Sequence, residues 1–335
     1  MVVKIAINGF GRIGRLVARA ALRRNNIQLV AVNDLGDQQG SAHLFKYDSI
    51  HGQYPSEVVA DGDSIKVDNQ SFKYLSEKEP AKLPWNDLGV DVVVEATGRF
   101  RSHDKAALHL QAGASKVIIT APGKNSDLTV VMGVNNDQYK PSEHHILSNA
   151  SCTTNCLAPV AKVLLQEFGI VKGLINTIHS YTNDQQLLDL EHEDLRRARA
   201  AALSIIPTTT GAASAVGLVI PALEGKLDGL AIRVPTPNVS LLDLTVELEK
   251  AASVEAINDA FQKASRTYLQ GILRYTEVPL VSRDYNNEEN SAVVDGPLTM
   301  MIGDRMAKVI AWYDNEWAYS LRVVDLVAFI AGQGF

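Results

Sequence analysis

The feature that most constrains the fold is a glycine-rich turn at Gly9-Phe10-Gly11-Arg12-Ile13-Gly14. It follows an apolar run at residues 2–8, which predicts a buried strand, and it opens a segment of helical period that extends from Arg12 to Arg24. Glycines at this spacing let the backbone turn tightly and let the helix pack closely against the strand. The pattern therefore predicts a strand–turn–helix unit at the start of a parallel sheet.

A second apolar run at residues 27–34 completes a βαβ unit and ends at Asp34, 20 residues after Gly14. This context is the dinucleotide-binding fingerprint of a Rossmann-type fold, in which the helix N-terminus faces the pyrophosphate and an acidic residue binds the ribose. We therefore predict a cofactor site that contains Gly9, Gly11, Arg12, Ile13, Gly14 and Asp34. Because a carboxylate repels a 2′-phosphate, Asp34 favours NAD over NADP; the alternative for Asp34 is a turn-capping role.

The remaining pattern divides the chain into two parts. Up to residue 150, strands are predicted at residues 91–97, 116–120, 128–135 and 144–149, with a helix at 103–113. After a predicted helix at 153–168, strands dominate, at about 171–180, 229–249, 271–276, 292–304 and 307–314, with a helix near 253–265. We therefore predict an α/β protein with a Rossmann-type doubly wound parallel sheet in residues 1–150 and an α+β catalytic domain with a mainly antiparallel sheet in residues 151–315. The last helix, in residues 316–335, is expected to pack back on the NAD-binding domain.

Composition excludes several classes of protein. The net charge of -6 and the pI of about 5.8 provide no electrostatic footprint for nucleic acid. No apolar run approaches the roughly 18 residues that a membrane span needs, and glycines interrupt the N-terminal segment where a signal peptide would be apolar. With only two cysteines, a reducing compartment is the simpler interpretation. We expect a cytoplasmic protein without a membrane segment or a dedicated nucleic-acid site.

Both cysteines lie in the segment Asn149-Ala-Ser-Cys-Thr-Thr-Asn-Cys156, which joins a predicted strand to a helix. Cys152 would lie at the helix N-terminus, where the helix dipole lowers the pKa of a thiol, so it is the candidate nucleophile. A disulfide is disfavoured because positions i and i+4 of a helix have poor geometry for the bridge. Further ligands for a metal are lacking, so we expect no metal, and Cys156 is expected to be a buried packing thiol.

A thiol nucleophile needs a general base nearby. His179 ends a predicted strand and is followed by polar residues, which makes it the best candidate among the eight histidines. The other histidines lie in contexts where surface or packing roles are the default.

Eight motifs carry a resemblance to a known family. They are INGFGRIGR (7–15), KYDSIHG (46–52), SNASCTTNCLAP (148–159), HSYTNDQ (179–185), DLRRARAAA (194–202), IIPTTTGAA (205–213), RVPTPNVS (233–240) and WYDNEWAYS (312–320). Over its whole length, the chain resembles the phosphorylating glyceraldehyde-3-phosphate dehydrogenases. Four positions depart from the usual pattern: Glu191 stands where proline is common, Lys78 where arginine is common, Gly36 where threonine is common and Ala318 where glycine is frequent.

The resemblance implies a reaction in which glyceraldehyde 3-phosphate, phosphate and NAD give 1,3-bisphosphoglycerate and NADH. Cys152 would attack the aldehyde to form a hemithioacetal and then a thioester, while His179 takes and returns protons. The resemblance also implies a homotetramer.

The same resemblance assigns binding roles residue by residue. Thr182 and Arg233 should hold the substrate phosphate, and Arg197 adds charge nearby unless it serves only in a salt bridge. The attacking phosphate should contact Ser151, Thr153, Thr210 and Gly211. On the cofactor side, Lys78 and Thr120 should contribute to the NAD site, Asn315 should orient the nicotinamide carboxamide, and Tyr319 should line that part of the site.

Two other functions remain open at this point. Erythrose-4-phosphate dehydrogenases share the cysteine and histidine, although they usually lack the HSYTNDQ and PTTTGAA motifs present here. A protein that only binds partners is the alternative from another class, and a non-catalytic member would be expected to have lost Cys152 or His179.

Overall fold

The computed structural model describes residues 2–335, and the chain divides into two compact units. The first unit contains residues 2–130, 136–150 and 320–335, and the second contains residues 131–135 and 151–319. Among the described residues, no helix is both long and apolar enough to cross a membrane.

The first unit is built from eleven strands and four complete helices. The strands are β1 (Val3–Asn8), β2 (Ile27–Asn33), β3 (Tyr47–Asp48), β4 (Gly52–Gln53), β5 (Val58–Asp61), β6 (Ser64–Val67), β7 (Gln70–Leu75), β8 (Val92–Glu95), β9 (Lys116–Ile119), β10 (Leu128–Thr129) and β11 (Ile146–Ser148). The helices are α1 (Arg12–Ala21), α2 (Gln38–Lys46), α3 (Trp85–Leu88) and α4 (His103–Gln111).

Nine of these strands form one sheet in the order β10-β11-β9-β8-β1-β2-β7-β6-β5. All neighbours pair in parallel except β7-β6-β5, which form an antiparallel edge. The apolar residues of the central strand β1 are fully buried, as expected where both faces of a parallel sheet are covered. The predicted doubly wound parallel sheet is confirmed, with an antiparallel edge that was not predicted.

The glycine-rich turn between β1 and α1 has the predicted tight geometry. Gly9 has φ +96°, a conformation that favours glycine. A Cβ on Gly14 would lie 2.0 Å from the Gly9 carbonyl oxygen, so a side chain there would separate the helix from the strand. Both glycines are therefore required by the backbone itself.

The second unit contains eight strands and three complete helices. The strands are β12 (Ile170–Ser180), β13 (Ile206–Thr209), β14 (Leu227–Val234), β15 (Ser240–Leu248), β16 (Leu273–Thr276), β17 (Ala292–Asp295), β18 (Met300–Ile302) and β19 (Met306–Tyr313). The helices are α5 (Cys152–Phe168), α6 (Ala212–Val219) and α7 (Val254–Arg266).

These strands form one sheet in the order β13-β14-β12-β15-β19-β17-β16, with β18 beside β19. Only the pairs β12–β14 and β16–β17 are parallel, so the prediction of a mainly antiparallel sheet is confirmed. The last helix, α8 (Trp317–Gln333), starts in the second unit and continues in the first, where Asp325 pairs with Arg24 at 2.6 Å.

Some predicted strands are wrong in extent. The strand predicted at residues 128–135 is limited to β10, because residues 131–135 form turns that belong to the second unit. There, Lys162 Nζ donates to the carbonyl oxygens of Gly133 (2.8 Å) and Val134 (3.1 Å). The strands predicted at 229–249 and 292–304 are each divided into two strands. Prolines lie at both interruptions, and they stop the strand because proline has no N–H to donate to a neighbouring strand.

Candidate active site

A cavity of ≈ 580 Å³ in the first unit lies at the carboxyl ends of β1, β2 and β8. In doubly wound sheets, ligands bind where the strand order reverses, and here that point lies between β1 and β8. Four predicted cofactor residues line the cavity: Gly9, Gly11, Asp34 and Lys78. The cavity therefore lies where the glycine-rich turn predicts a dinucleotide.

The start of α1 suits an anion such as a pyrophosphate. Gly11 is the N-cap residue and has no side chain that could cap the helix. Apart from its chain neighbours, no atom of the described residues lies within 4 Å of the position that a Cβ on Gly11 would occupy. Arg12, Ile13 and Gly14 form the first turn, whose N–H groups point out of the helix end. These residues fit the cofactor that the sequence predicts.

Asp34 is held in place by the backbone of two turns. One carboxylate oxygen accepts a hydrogen bond from Phe10 N (2.7 Å) and the other from Gly36 N (2.9 Å). The turn-capping alternative therefore describes part of its role. Each oxygen keeps a further lone pair, and the residue lines the cavity, so the carboxylate can also accept from a ribose hydroxyl.

Sequence reasoning missed several residues of this cavity. They are Asn8, Asn33, Leu35, Glu77, Ala96, Thr97, Arg99 and Phe100. Most directly follow or end parallel strands, and the rule that ligands bind at carboxyl ends of strands could have found them. By contrast, Thr120 is not among the lining residues, and its hydroxyl donates to the Glu95 carbonyl oxygen at 3.1 Å.

Buried side chains tie the ends of β1, β2 and β8 together beneath the cavity. Asn33 Nδ2 donates to Asn8 Oδ1 at 2.7 Å, and Asn8 Nδ2 donates to Glu95 Oε2 at 2.6 Å. The same Glu95 oxygen lies 3.0 Å from His109 Nε2. His109 Nδ1 accepts from Trp85 Nε1–H at 3.0 Å, so Nε2 carries the proton and donates to the carboxylate. This network fixes the floor of the cavity.

In the second unit, Cys152 is the first residue of α5, and its sulfur lies 3.4 Å from His179 Nε2. His179 and Arg233 are opposite each other in the parallel pairing of β12 with β14. The register of the sheet therefore places an imidazole and a guanidinium side by side, next to the helix end that carries the thiol.

The hydrogen bonds of His179 determine its tautomer. Nδ1 lies 2.7 Å from the Ser180 carbonyl oxygen, which can only accept, and 3.0 Å from Arg233 Nη1, which can only donate. The shorter contact assigns the proton to Nδ1, and Arg233 Nη1 donates to the Ser180 carbonyl oxygen instead. Nε2 then presents its lone pair to the thiol of Cys152. This is the arrangement of a general base beside a nucleophile, with a third group orienting the base.

Burial sets the protonation states of this pair. It raises the pKa of the Cys152 thiol, against the opposing effects of Arg233 and of the N–H groups at the start of α5. The N–H groups at the helix N-terminus act in the expected direction, but desolvation has the larger effect, so the net shift of this pKa is upward and not downward. Burial, with help from Arg233, lowers the pKa of His179 to about 3. Moving the thiol proton to Nε2 leaves the pair without net charge, so it is the least costly route to a thiolate.

The two cysteines differ as expected. Cys152 is partly exposed, whereas Cys156 is fully buried one helical turn later, and both are free. Burial raises the pKa of Cys156 well above its usual value, which makes that thiol unreactive.

Arg233 and Thr182 come together beside the pair. Arg233 Nη1 donates to the Ser180 carbonyl oxygen (3.1 Å) and lies 3.4 Å from Thr182 Oγ1. The Nε–H group of Arg233 is buried and has no hydrogen-bond partner among the described residues. A buried, unpartnered N–H of a guanidinium is suited to an anionic ligand.

The hydroxyl groups near Cys152 already form hydrogen bonds within the protein. Ser151 Oγ caps α5 by accepting from Thr154 N at 3.0 Å. Thr153 Oγ1 lies 2.9 Å from the hydroxyl of Tyr313, which in turn lies 2.8 Å from Thr177 Oγ1. Tyr313 is buried and burial raises its pKa, so it remains a neutral hydrogen-bonding group. Sequence reasoning missed Tyr313 because an aromatic residue in a strand resembles a packing residue.

The remaining predicted substrate residues lie close to one strand. Arg197 forms an ion pair with Asp184 and donates from Nε to Thr208 Oγ1 at 2.9 Å, so the salt-bridge alternative describes its contacts in this structure. Thr210 and Gly211 follow β13, and Gly211 is the N-cap residue of α6. No direct contact joins Thr210 or Gly211 to Cys152 among the contacts that the structure describes.

Asn315 and Tyr319 also belong to the second unit. Asn315 Oδ1 accepts hydrogen bonds from the hydroxyls of Ser180 (2.8 Å) and Ser240 (2.9 Å). Tyr319 is buried in the first turn of α8.

Comparisons with known proteins agree with this geometry. Residues 3–103 match the family model described as "Glyceraldehyde 3-phosphate dehydrogenase, NAD binding domain", and residues 151–315 match "Glyceraldehyde 3-phosphate dehydrogenase, C-terminal domain". These two matches cover most of the chain and correspond to the parts that hold the cavity and the thiol.

Full-length relatives carry the same name. A glyceraldehyde-3-phosphate dehydrogenase from Geobacillus stearothermophilus is 60% identical over 334 residues, which cover 100% of both chains. Glyceraldehyde-3-phosphate dehydrogenase 2 of Bacillus subtilis is 57% identical over 99% of this chain and 98% of its own, and the protein from Streptomyces coelicolor is 54% identical over 99% and 100%. With both family models matched in order and identity of this level over the full length, the chain belongs to the glyceraldehyde 3-phosphate dehydrogenase family.

Proposed function

We propose that the protein is a phosphorylating glyceraldehyde-3-phosphate dehydrogenase that converts glyceraldehyde 3-phosphate, phosphate and NAD to 1,3-bisphosphoglycerate and NADH. The observation that carries this proposal is the pair formed by Cys152 Sγ and His179 Nε2, 3.4 Å apart. The unprotonated nitrogen faces the thiol, and a guanidinium with a free buried N–H lies alongside.

The pair accounts for each covalent step. Cys152 Sγ attacks the aldehyde carbon while Nε2 takes the thiol proton and delivers it to the aldehyde oxygen, which gives a hemithioacetal. NAD, when bound, supplies the two-electron oxidant. His179 takes the hydroxyl proton during the oxidation, which leaves a thioester on Cys152. A phosphate oxygen then attacks the thioester carbon, the C–S bond breaks, and the sulfur regains a proton.

Other side chains bind and orient in this proposal. Arg233 and Thr182 hold the substrate phosphate, and Asn315 and Tyr319 hold the nicotinamide end of NAD. Gly9, Gly11, Asp34 and Lys78 hold the remainder of the cofactor. Thr120 supports this site indirectly, because its hydroxyl donates to the carbonyl oxygen of Glu95 at the end of β8. The site for attacking phosphate contains Ser151, Thr153, Thr210 and Gly211, with Arg197 nearby.

The reaction is tested by the absorbance of NADH with glyceraldehyde 3-phosphate, with and without inorganic phosphate. Sustained turnover that depends on phosphate supports the proposal. A protein that only binds partners gives no turnover, and a higher kcat/KM for erythrose 4-phosphate assigns the chain to the other dehydrogenase.

The proposal includes a homotetramer in the cytoplasm. Large apolar side chains of the second unit are strongly exposed in a single chain, among them Leu195, Leu203 and Ile302, at 75 to 82%. Large apolar side chains with this exposure are buried when a subunit covers them, which is the change the proposed assembly requires. Sedimentation equilibrium tests the assembly, and a monomer at micromolar concentration contradicts it.

Asp34 is expected to set the preference for NAD over NADP. A 2′-phosphate beside this fixed carboxylate is repelled, so Asp34→Asn should reduce the NAD preference, as a ratio of kcat/KM values, by at least about tenfold. Asp63→Asn is the matched control, because it removes the same charge from an exposed residue outside the cavity. Comparable kcat/KM values for NAD and NADP in the wild-type enzyme would contradict the assignment.

Arg233 is expected to act mainly in substrate binding. Arg233→Lys keeps the charge but loses the planar fork, so the KM for glyceraldehyde 3-phosphate should rise by about tenfold or more at saturating NAD and phosphate. The control is Arg199→Lys, since Arg199 is exposed and its guanidinium pairs with Asp189 at 3.1 Å. A rise confined to the KM of inorganic phosphate would instead place Arg233 at the site of the attacking phosphate.

A further inference from the structure

Two buried serines converge on the side chain of Asn315. Ser180 is the last residue of β12 and Ser240 is the first residue of β15, and both are at most 1% exposed. Their hydroxyls lie 2.8 and 2.9 Å from the same atom, Asn315 Oδ1. The side chain of neither serine has a role in the catalytic steps described above.

The hydrogen bonds of the serines determine which way the amide faces. Ser240 Oγ accepts from the backbone N–H of Ser180 at 3.1 Å and uses its own proton toward Asn315. Ser180 Oγ also donates to Asn315 Oδ1. In this orientation Asn315 Oδ1 accepts both hydroxyl protons. An amide turned over by 180° would require both hydroxyls to turn and accept from its NH₂ group, although Ser240 Oγ already accepts from the Ser180 N–H, so the observed orientation is favoured.

The opposite side of the amide is left available. Asn315 Nδ2 donates to no acceptor among residues 2–335 in the contacts that the structure describes, although the residue is only 6% exposed. The backbone around it is fixed as well, because Asp314 Oδ1 accepts from the N–H groups of Glu316 and Trp317. A rigid donor with free hydrogens is suited to binding a carbonyl oxygen.

We propose that Ser180 and Ser240 are positioning residues that hold the Asn315 amide with Nδ2 directed to the carboxamide oxygen of the nicotinamide. This inference rests on the proposed function, in which Asn315 binds that group. Ser180 also joins this amide to the catalytic pair, because its carbonyl oxygen accepts from His179 Nδ1 and Arg233 Nη1. In this proposal the side chain of Ser180 orients the amide that binds the nicotinamide, and its carbonyl oxygen accepts hydrogen bonds from the base and the guanidinium.

Because only the side chain of Ser180 acts on the nicotinamide site, the inference can be tested by comparing the binding of two ligands, NAD and ADP-ribose. ADP-ribose contains every part of NAD except the nicotinamide. The ratio of the Kd of ADP-ribose to the Kd of NAD, measured by calorimetry, therefore reports the contribution of the nicotinamide site. Ser180→Ala and Ser240→Ala should each lower this ratio by about two- to tenfold, the range for loss of one hydrogen bond, with the Kd of ADP-ribose unchanged.

Three further measurements complete the experiment. Ser291→Ala is the matched control, since Ser291 is a buried serine of the same unit whose hydroxyl has no hydrogen-bond partner among the described residues, and its ratio should not change. Asn315→Ala should lower the ratio at least as much as either serine variant. In Ser180→Ala, the pH profile of Cys152 alkylation should match that of the wild-type protein, because the backbone of residue 180 is retained.

Each contrary result has a distinct meaning. A ratio that falls in Asn315→Ala but is unchanged in both serine variants overturns the positioning role and leaves the proposed function standing. Parallel losses of NAD and ADP-ribose affinity also overturn it, because they indicate a general structural role. An unchanged ratio in Asn315→Ala shows that Asn315 does not bind the nicotinamide, and failure of the wild-type protein to bind NAD overturns the proposed function itself.

Discussion

Replacing Cys152 with serine is expected to lower the dehydrogenase rate by at least about 10³-fold, while the fold and NAD binding remain intact. Serine fits the space of the thiol, but its hydroxyl has no accessible anion near neutral pH. The thiol can lose its proton to His179 Nε2 at 3.4 Å, and sulfur is intrinsically the better nucleophile. Initial rates of NADH formation measure the loss, and calorimetry with NAD shows that the site is still formed.

Cys156→Ser is the control for this variant. Cys156 is fully buried, and a serine there can donate back to the carbonyl oxygen four residues earlier in α5. We expect most of the activity to remain, with a loss of stability of about 1–2 kcal/mol. If Cys156→Ser were the inactive variant and Cys152→Ser the active one, the nucleophile would have been assigned to the wrong thiol.

The elements that sequence predicts well are those with strong local patterns. The glycine-rich turn needs a positive φ at Gly9 and space for the backbone at Gly14, and glycine meets both requirements. The residue types alone therefore predict this part of the fold. Long apolar runs likewise predict the central strands of both sheets. By contrast, the strand expected at residues 128–135 is mostly turns, because contacts from Lys162, distant in sequence, hold that segment.

The candidate site was predicted to the extent that its residues have local signals. Cys152 could be found from its place at the start of a helix, and His179 from its place at the end of a strand. Tyr313 could not be found in this way, because its contacts with Thr153 and Thr177 depend on the packing of α5, β12 and β19. The same holds for Ser240, whose contact with Asn315 spans 75 residues.

The pKa of Cys152 shows why a local signal can give the wrong sign. The position at a helix N-terminus predicts a lowered pKa, and the N–H groups of Cys152 and Thr153 do act in that direction. Desolvation by the surrounding protein is larger, and it depends on residues that the local sequence does not reveal. We therefore expect the reactivity of this thiol to depend on proton transfer to His179 Nε2, 3.4 Å away, more than on the helix dipole.

His179→Asn is expected to slow turnover by about 10²- to 10⁴-fold, the usual contribution of a positioned general base. Asparagine fills a similar space but cannot take a proton from the thiol or from the hemithioacetal. Alkylation of Cys152 by iodoacetamide should also shift to higher pH, because the route that keeps the pair free of net charge is lost. His103→Asn, at a partly exposed histidine of the first unit, is the control and should change neither result.

The same variant should change how stability depends on pH. Burial lowers the pKa of His179 to about 3, whereas an unfolded histidine titrates near 6.5. Above pH 6.5 the imidazole of residue 179 is neutral in both the folded and the unfolded state. Between pH 6.5 and 3 it binds a proton in the unfolded state but stays neutral in the folded state. The free energy of unfolding therefore falls as the pH falls from 6.5 toward 3, and His179 accounts for about 2 kcal/mol of that loss at pH 5. Urea unfolding at fixed protein concentration should show a shallower decline between pH 7 and 5 in His179→Asn than in the wild-type protein. Equal slopes together with an unchanged alkylation profile and full turnover would mean that the base is another residue.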